Sequence, residues 1–265
     1  MIKRLNDISE CFAWMNELIG DASFSTPFCD KERIMSVSRK DGSLLFGAYE
    51  GESLTGVFCL MVLDGERYIE TLFLYTREER AYEELLAFLS KEYPGYEMWF
   101  VFNPRNPILR AWLPKKNAFF YEEQRYMEYR GTPEEDAGEV ICYDDRYRDE
   151  YLRIHSKEGY WDGERVLERK DEFHIFLCIK DDRPVGYIDL SRGTDTNEIM
   201  DIRVLPGYRN RGIGALLLKK AIFVNRDNRL VLTVDTDNAP ANHLYEKLGF
   251  RELPMNNIIT AELTL

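Results

Sequence analysis

Apolar runs alternate with helical repeats along the C-terminal half of the chain. The runs at 174–180 and 185–191 flank the turn sequence DDRP, which predicts a β-hairpin. Beyond them the pattern predicts a strand, a helix, a strand, a helix and a last strand, at 198–204, 212–223, 230–236, 240–248 and 257–263. The order β-β-β-α-β-α-β predicts an α/β domain in which helices are layered on a sheet.

The N-terminal half repeats much of this order, with a hairpin, a strand, a helix and a strand expected at 46–63, 68–75, 76–93 and 98–102. Gly56 corresponds to Gly186, and Asn103 corresponds to Asn238. The two pairs are separated by nearly the same number of residues, so the two halves align over most of a domain. This correspondence indicates an internal duplication. Small, acidic and Pro residues at 131–138 predict a linker, so we expect two domains, at 1–130 and 139–265.

Composition narrows the class of protein. Of the 265 residues, 45% are hydrophobic and 13% are aromatic, which excludes an intrinsically disordered chain. The net charge of −12 opposes binding to nucleic acid or to an anionic membrane and favours a cationic substrate. Scattered cysteines, no secretory signal and no long apolar run predict a cytoplasmic protein with free thiols. The three histidines lack the spacing of metal ligands, so we expect no metal.

The strongest chemical signal is the segment VLPGYRNRGIG at 204–214, where a predicted strand meets a predicted helix. Backbone N–H groups at a helix start bind anions, and Gly212 and Gly214 would let a pyrophosphate approach the main chain. A Walker loop requires Gly-Lys-Ser/Thr, and a dinucleotide fingerprint requires Gly or Ala where Leu217 stands, so both are set aside. A plain glycine turn with solvated arginines is the alternative.

A second signal is DTDNAPANHLYEKLGFRE at 235–252. Together, V-x-P-x-x-R-x-x-G-x-G at 204–214 and N-x-x-A-x-x-L-Y-E-K-L-G-F at 238–250 resemble motifs of the GCN5-related N-acetyltransferase (GNAT) superfamily. The resemblance covers roughly residues 140–265. It implies two tandem acetyltransferase-like domains, each with a mixed, mostly antiparallel central sheet flanked by helices.

The resemblance also implies acetyl-CoA as co-substrate and assigns roles to residues. The pyrophosphate would lie on the loop residues Arg209, Asn210, Arg211, Gly212, Ile213 and Gly214. Backbone groups on a strand splayed from its neighbour would bind the pantetheine arm and polarise the thioester carbonyl, at Ile202, Arg203 and Val204. Asn238 would contact the cofactor, unless it is only a helix N-cap. Tyr245 would act as general acid, unless it is only a core residue.

An attacking amine must lose a proton, which calls for a carboxylate. Glu198 matches the position of the base in some members of the family, and Asp201 is the second candidate. Because three positions separate them, we expect their side chains on opposite faces of the strand. Both could instead be solvated strand residues.

The first half departs from the pattern in the segment FLYTREERAYEEL, which contains no glycine. Its four glutamates would repel a pyrophosphate, at Glu78, Glu79, Glu83 and Glu84. We therefore expect a degenerate copy that shapes the acceptor cleft or acts as a built-in pseudo-partner, in a monomer with an internal pseudo-dimer or in a homodimer.

The expected function is an N-acetyltransferase that moves an acetyl group from acetyl-CoA directly to a primary amine, most simply a small molecule. The alternative is an acyl-CoA-binding or sensing protein without catalysis.

Overall fold

The computed structural model describes residues 1–24, 31–132, 136, 138–157 and 161–265. They form two compact units. The first unit comprises Met1–Arg125 together with Pro254–Leu265, and the second comprises Tyr126–Leu253.

Each unit is built on one sheet. In chain order the strands are β1 (Ile2–Leu5), β2 (Ser43–Glu50), β3 (Ser53–Leu63), β4 (Tyr68–Thr76), β5 (Glu97–Phe102), β6 (Phe119–Phe120), β7 (Gln124–Tyr129), β8 (Val140–Cys142), β9 (Phe173–Lys180), β10 (Arg183–Ser191), β11 (Thr196–Val204), β12 (Arg229–Asp235), β13 (Phe250–Glu252) and β14 (Ile259–Thr264). The α-helices are α1 (Phe12–Ile19), α2 (Lys31–Ser38), α3 (Glu79–Glu92), α4 (Pro107–Trp112), α5 (Arg148–Ile154), α6 (Gly163–Glu168), α7 (Ile213–Val224) and α8 (Ala239–Leu248).

The strand order is β1-β2-β3-β4-β5-β14-β6 in the first unit and β8-β9-β10-β11-β12-β7-β13 in the second. In each sheet one central pair is parallel, β4 with β5 and β11 with β12. The neighbouring pairs, β3 with β4 and β10 with β11, are antiparallel. Mixed, mostly antiparallel sheets flanked by helices confirm the predicted fold class.

The two sheets exchange a strand. β14, at the end of the chain, lies between β5 and β6 in the first sheet, whereas β7, from before the predicted linker, lies in the second sheet. The predicted domain limits 1–130 and 139–265 are therefore wrong at β7 and at β14. Local alternation identifies a strand, but its sheet depends on pairing with distant residues. Within the predicted linker, residues 133–135 and 137 lie outside the described part of the chain.

The two sheets share details that agree with the predicted duplication. Gly56 in β3 pairs with Thr76 in β4, and Gly186 in β10 pairs with Val204 in β11. The register of β3 and β4 shifts after Cys59, and that of β10 and β11 shifts after Asp189, so a β-bulge occurs at the matching place in each unit.

Helices cover both faces of the second sheet. One face packs against α7 and α8, with a core that includes Ile188, Ile199 and Leu217. The opposite face packs against α5 and α6, around Tyr151 and Tyr187. Among the described helices, none has both the length and the apolar composition to cross a membrane.

Candidate active site

The parallel strands β11 and β12 separate at the centre of the second unit. They pair only from Thr196 to Ile199, although β11 continues to Val204. Leu205 N donates to Val185 O on β10 at 2.9 Å. Because successive N–H groups of a strand point to alternate edges, the N–H groups of Val204 and Ile202 point into the gap, and that of Arg203 points to β10. The splayed strand implied by the sequence resemblance is therefore present.

An open glycine loop follows the gap. Gly212 is the N-cap of α7, with φ at +79° and no side-chain cap. Leu216 is the first helical residue whose N–H bonds within the chain, to Gly212 O at 3.0 Å. For the N–H groups of residues 213–215, no acceptor occurs among the described residues. An added Cβ at Gly212 or Gly207 would lie within 4 Å of no atom in the described part of the chain, so this loop can receive an anion.

Two arginines add positive charge beside the loop. Arg209 Nε donates to Val204 O at 3.0 Å, and the Arg211 guanidinium lies 5.4 Å from the centre of the Tyr208 ring. Neither arginine forms an ion pair with any described residue. Their charge therefore remains available to an anion at the start of α7.

Gly186 sets the position of the loop relative to the sheet. A Cβ on Gly186 would lie 2.9 Å from Arg203 O and 3.2 Å and 3.3 Å from side-chain atoms of Leu217 and Ile213. The first turn of α7 therefore packs directly on β10, because the glycine has no side chain.

Asn238 and Tyr245 lie at the two ends of α8. The Asn238 side chain accepts a hydrogen bond from Ala241 N at 3.3 Å, so it caps the helix as the simpler expectation proposed. Tyr245 is only 6% exposed and contacts the Phe250 ring. Burial raises the pKa of its hydroxyl, and the Asp201 carboxylate raises it further. This hydroxyl stays protonated at neutral pH and can donate a proton.

The β-bulge changes the geometry expected for the two acidic candidates. Leu190 pairs with Ile199, but Asp189 pairs with Asp201, so Met200 is an extra residue in β11. Glu198 and Asp201 therefore lie on the same face of the sheet, and the expectation of opposite faces is wrong. In a regular strand, side chains three positions apart point to opposite faces of the sheet. The extra residue at the bulge returns the Asp201 side chain to the face of Glu198.

A buried polar cluster lies on the face covered by α5, and sequence reasoning missed it. His155 Nε2 and the Tyr151 hydroxyl both contact Asp189 Oδ2 at 2.8 Å, and Tyr187 donates to Asp201 Oδ2. The spacing of the three histidines excluded only a metal site and gave no sign of this role for His155. The signal that could have revealed the cluster is Tyr187-x-Asp189, two polar residues alternating within an otherwise apolar strand.

The cluster perturbs the ionisation of its members. Burial lowers the pKa of His155, but hydrogen bonds to Asp189 and to the Ser156 carbonyl outweigh burial, so the pKa is raised overall. Burial raises the pKa of Asp189, whose Oδ1 has no partner among the described residues. Of the described residues, no group of three or more His, Cys, Asp or Glu side chains could hold a metal ion.

The segment between β4 and α3 of the first unit, all of which the structure describes, has no counterpart of the glycine loop. Helix α3 begins only two residues after β4 ends, whereas eight residues connect β11 to α7. Three of the four glutamates expected there contact cations of the chain itself: Glu79 with Lys115 at 2.8 Å, Glu83 with Lys116 at 2.6 Å, and Glu84 with the N-terminal amine. This arrangement agrees with a degenerate copy.

Aromatic side chains fill the corresponding interior of the first unit. Tyr82 stacks on Trp112 with ring centres 5.5 Å apart, and both are fully buried. The predicted match of Asn103 with Asn238 is wrong by three residues. Asn106 caps α4, as Asn238 caps α8, because four residues connect β5 to α4 and Asn103 is the first of them, whereas Asn238 is the last of the three that connect β12 to α8.

Comparison with known proteins identifies the second half. Residues 141–250 match the family model described as Acetyltransferase (GNAT) family. The chain is 32% identical over 136 residues to an uncharacterized N-acetyltransferase of Methanocaldococcus jannaschii, with 46% of this chain and 60% of that protein covered. Residues 141–250 of this chain therefore form a domain that matches the GNAT family model. The chain spans between about half and three fifths of the length of the first curated relatives that it matches.

Two solved structures resemble the whole chain. One is a GCN5-related N-acetyltransferase from Sphaerobacter thermophilus, with a TM-score of 0.72, 13% identity, and 100% of this chain and 95% of that chain covered. The other is a tandem GNAT protein from the clavulanic acid biosynthesis pathway, with a TM-score of 0.65, 14% identity, and 100% and 98% covered. At these identities the likeness concerns the fold, which is that of tandem GNAT proteins.

Proposed function

We propose that the second unit transfers an acetyl group from acetyl-CoA to a primary amine of a small molecule. The observation that carries the proposal is the junction of a splayed strand with an open, uncapped helix start. Among the described residues, the N–H groups of Ile202 and Val204 in β11 and of 213–215 in α7 have no acceptor. They follow one another in the same order as the thioester arm and the pyrophosphate of acetyl-CoA.

The residues present fit acetyl-CoA. The backbone N–H groups of 213–215, with Arg209 and Arg211 beside them, would hold the pyrophosphate. The N–H groups of Ile202 and Val204 would bind the pantetheine arm and stabilise the negative charge that develops on the thioester carbonyl oxygen. Acetyl-CoA, when bound, supplies an activated thioester carbonyl. Asn238 contributes by starting α8, which carries Tyr245.

Tyr245 and a carboxylate would move the protons. Tyr245, buried and protonated, would donate its proton to the departing sulfur. Glu198, the base expected from the resemblance, and Asp201 both lie on the face covered by α5 and can serve an amine arriving from that side.

A cavity on the same face supports a small, cationic acceptor. It has a volume of about 490 Å³ and is bordered by His155 and Ser156. Its lining includes three carboxylates against two cations, namely Asp149, Asp162, Glu164, Arg153 and Lys157. The excess of negative charge favours an ammonium group.

Calorimetric titration with acetyl-CoA tests the proposal. We expect one site per chain, because the first unit lacks the loop. Thiol release should then follow with at least one amine from a panel containing a polyamine, an amino sugar and an amino acid amide. Binding of two equivalents would contradict the assignment of the first unit, and absence of binding would refute the proposed function.

Tyr245→Phe separates catalysis from sensing. We expect unchanged acetyl-CoA affinity and a loss of turnover of at least about 10-fold. Binding without turnover by the wild type, with every amine of the panel, would favour a non-catalytic acyl-CoA sensor.

A further inference from the structure

Packing alone does not explain the buried polar cluster between α5 and β10, because apolar side chains could fill the same space. His155, Asp189, Tyr151 and Tyr187 are each 3% exposed or less, and buried residues packed with them, such as Ile175 and Leu177, are apolar. Burying polar groups costs free energy unless each is hydrogen-bonded. Such a cluster is therefore a candidate for function.

The backbone of Ser156 joins the two parts of the cluster. Its carbonyl oxygen lies 2.7 Å from His155 Nδ1, and its N–H donates to the Tyr187 hydroxyl at 2.8 Å. A carbonyl can only accept, so His155 Nδ1 carries a proton. His155 Nε2 lies 2.8 Å from Asp189 Oδ2, so a second proton lies between these two atoms.

This arrangement leaves the Tyr187 hydroxyl one direction for its proton. The oxygen accepts from Ser156 N–H, and its own proton goes to Asp201 Oδ2. The ring cannot turn away, because His155 stacks on it at 4.6 Å and Tyr151 packs edge-on at 5.5 Å. Burial raises the pKa of Tyr187, so it remains the donor.

Asp201 is also better placed than Glu198. Glu198 pairs with Val231 where β11 and β12 are still joined, whereas Asp201 lies beyond Ile199, where the strands have separated. The Asp201 carboxylate also acts electrostatically on Tyr245, because its negative charge contributes to the raised pKa of the Tyr245 hydroxyl. Asp201 thus lies at the gap that leads to the candidate acid.

We propose that Asp201, rather than Glu198, receives the proton of the acceptor ammonium, and that Tyr187 is a positioning residue held by Ser156 and the His155–Asp189 pair. The inference rests on the proposed function. Tyr187 would orient one oxygen of Asp201 and leave the other to the ammonium.

The proton balance of this step is complete. Asp201 takes one proton from the ammonium, the amine nitrogen bonds to the acetyl carbon, and the carbon–sulfur bond breaks. Tyr245 protonates the sulfur and regains a proton from the nitrogen through solvent. Asp201 then releases its proton to solvent, so the net products are an amide, a thiol and one proton.

The test compares single and double variants with the amine that the wild type uses. We expect Asp201→Asn to lower kcat by about 100-fold and Tyr187→Phe by about 10-fold, with acetyl-CoA affinity within about 2-fold of wild type. Asp201→Glu should recover part of the loss. Because Tyr187 acts through Asp201, the Tyr187→Phe/Asp201→Asn double variant should lose no more than Asp201→Asn alone.

Tyr143→Phe is the matched control. Tyr143 packs on Tyr151 in the same cluster, but its hydroxyl contacts neither Asp189 nor Asp201, so turnover should stay at the wild-type level. Full activity of Asp201→Asn with a large loss in Glu198→Gln would overturn the proposal, as would multiplicative losses in the double variant. A wild type that binds acetyl-CoA but uses no amine would refute both this proposal and catalysis, whereas an active wild type with active Asp201→Asn would refute this proposal alone.

Discussion

Gly212 combines two properties that few residues could supply together. Its φ of +79° favours glycine, and the space beside it is open to an incoming anion. We expect Gly212→Glu to weaken acetyl-CoA binding by at least about 100-fold, because the carboxylate would repel a pyrophosphate at the start of α7.

Gly212→Gln is the control for this prediction, since it introduces the same backbone strain and nearly the same size without charge. Calorimetry should show a smaller loss for glutamine than for glutamate. Glu79→Gln, in the first unit, should leave the affinity unchanged. Equal losses for both Gly212 variants would show that charge at this position is unimportant.

The His155–Asp189 pair makes stability depend on pH. The folded pKa of His155 is raised above its unfolded value of about 6.5, and that of Asp189 is also raised. The folded state therefore binds more protons, so this stabilisation is fully present below the unfolded pKa and is lost as pH rises through the folded pKa. The charged groups facing His155 are Asp189 and Asp201.

Urea unfolding from pH 6 to pH 9 measures this dependence. We expect the free energy of unfolding of the wild type to fall over this range more steeply than that of His155→Gln, in which the side chain at position 155 cannot titrate. Parallel curves for the two proteins would show that the pair does not titrate as the structure indicates.

At the scale of elements, Gly186 determines how closely α7 approaches β10. Gly186→Ala would place a methyl group 2.9 Å from Arg203 O, which is backbone and cannot move independently. We expect a destabilisation of about 1–3 kcal/mol, together with weaker acetyl-CoA binding because the loop shifts with α7. Thermal unfolding and calorimetry measure the two effects.

Gly138→Ala is the matched control in the same unit. A Cβ at Gly138 would meet no atom of the described residues within 4 Å, so the melting temperature should change little. If Gly186→Ala is as stable as this control, α7 has room to move and does not depend on the glycine.

At the scale of the whole molecule, the exchanged strands make each unit depend on a segment from the other half of the chain. β14 pairs with β5 over six residues and buries Ile259 and Ala261 in the first core. Deletion of residues 254–265 should therefore destabilise the first unit. Hydrogen exchange should show lost protection at 97–102, and Thr264→Asp, at an exposed position of the same strand, should not.

A fragment limited to 139–265 should likewise fail to form a complete second sheet, because it lacks β7. Circular dichroism and acetyl-CoA titration of this fragment would detect the defect. A folded fragment that binds acetyl-CoA with wild-type affinity would show that β7 is dispensable.

By itself the sequence determined the elements and the glycine loop. The helices expected at 212–223 and 240–248 begin and end within one residue of α7 and α8, because helical spacing, Pro240 and Gly249 act over short distances. The absence of glycine between Phe73 and Leu85 likewise indicated a first unit without the loop, since backbone conformation at a tight turn depends on residue type.

Only the tertiary structure decided which strands share a sheet and which side chains meet. β7 and β14 carry no local mark of the sheet they join, because pairing is chosen by distant partners. The bulge at Met200 reversed the expected face of Asp201, since one added residue changes the side-chain direction. His155, Tyr187 and Asp201 come from three separate segments, so their contact follows from packing and leaves no spacing pattern in the chain.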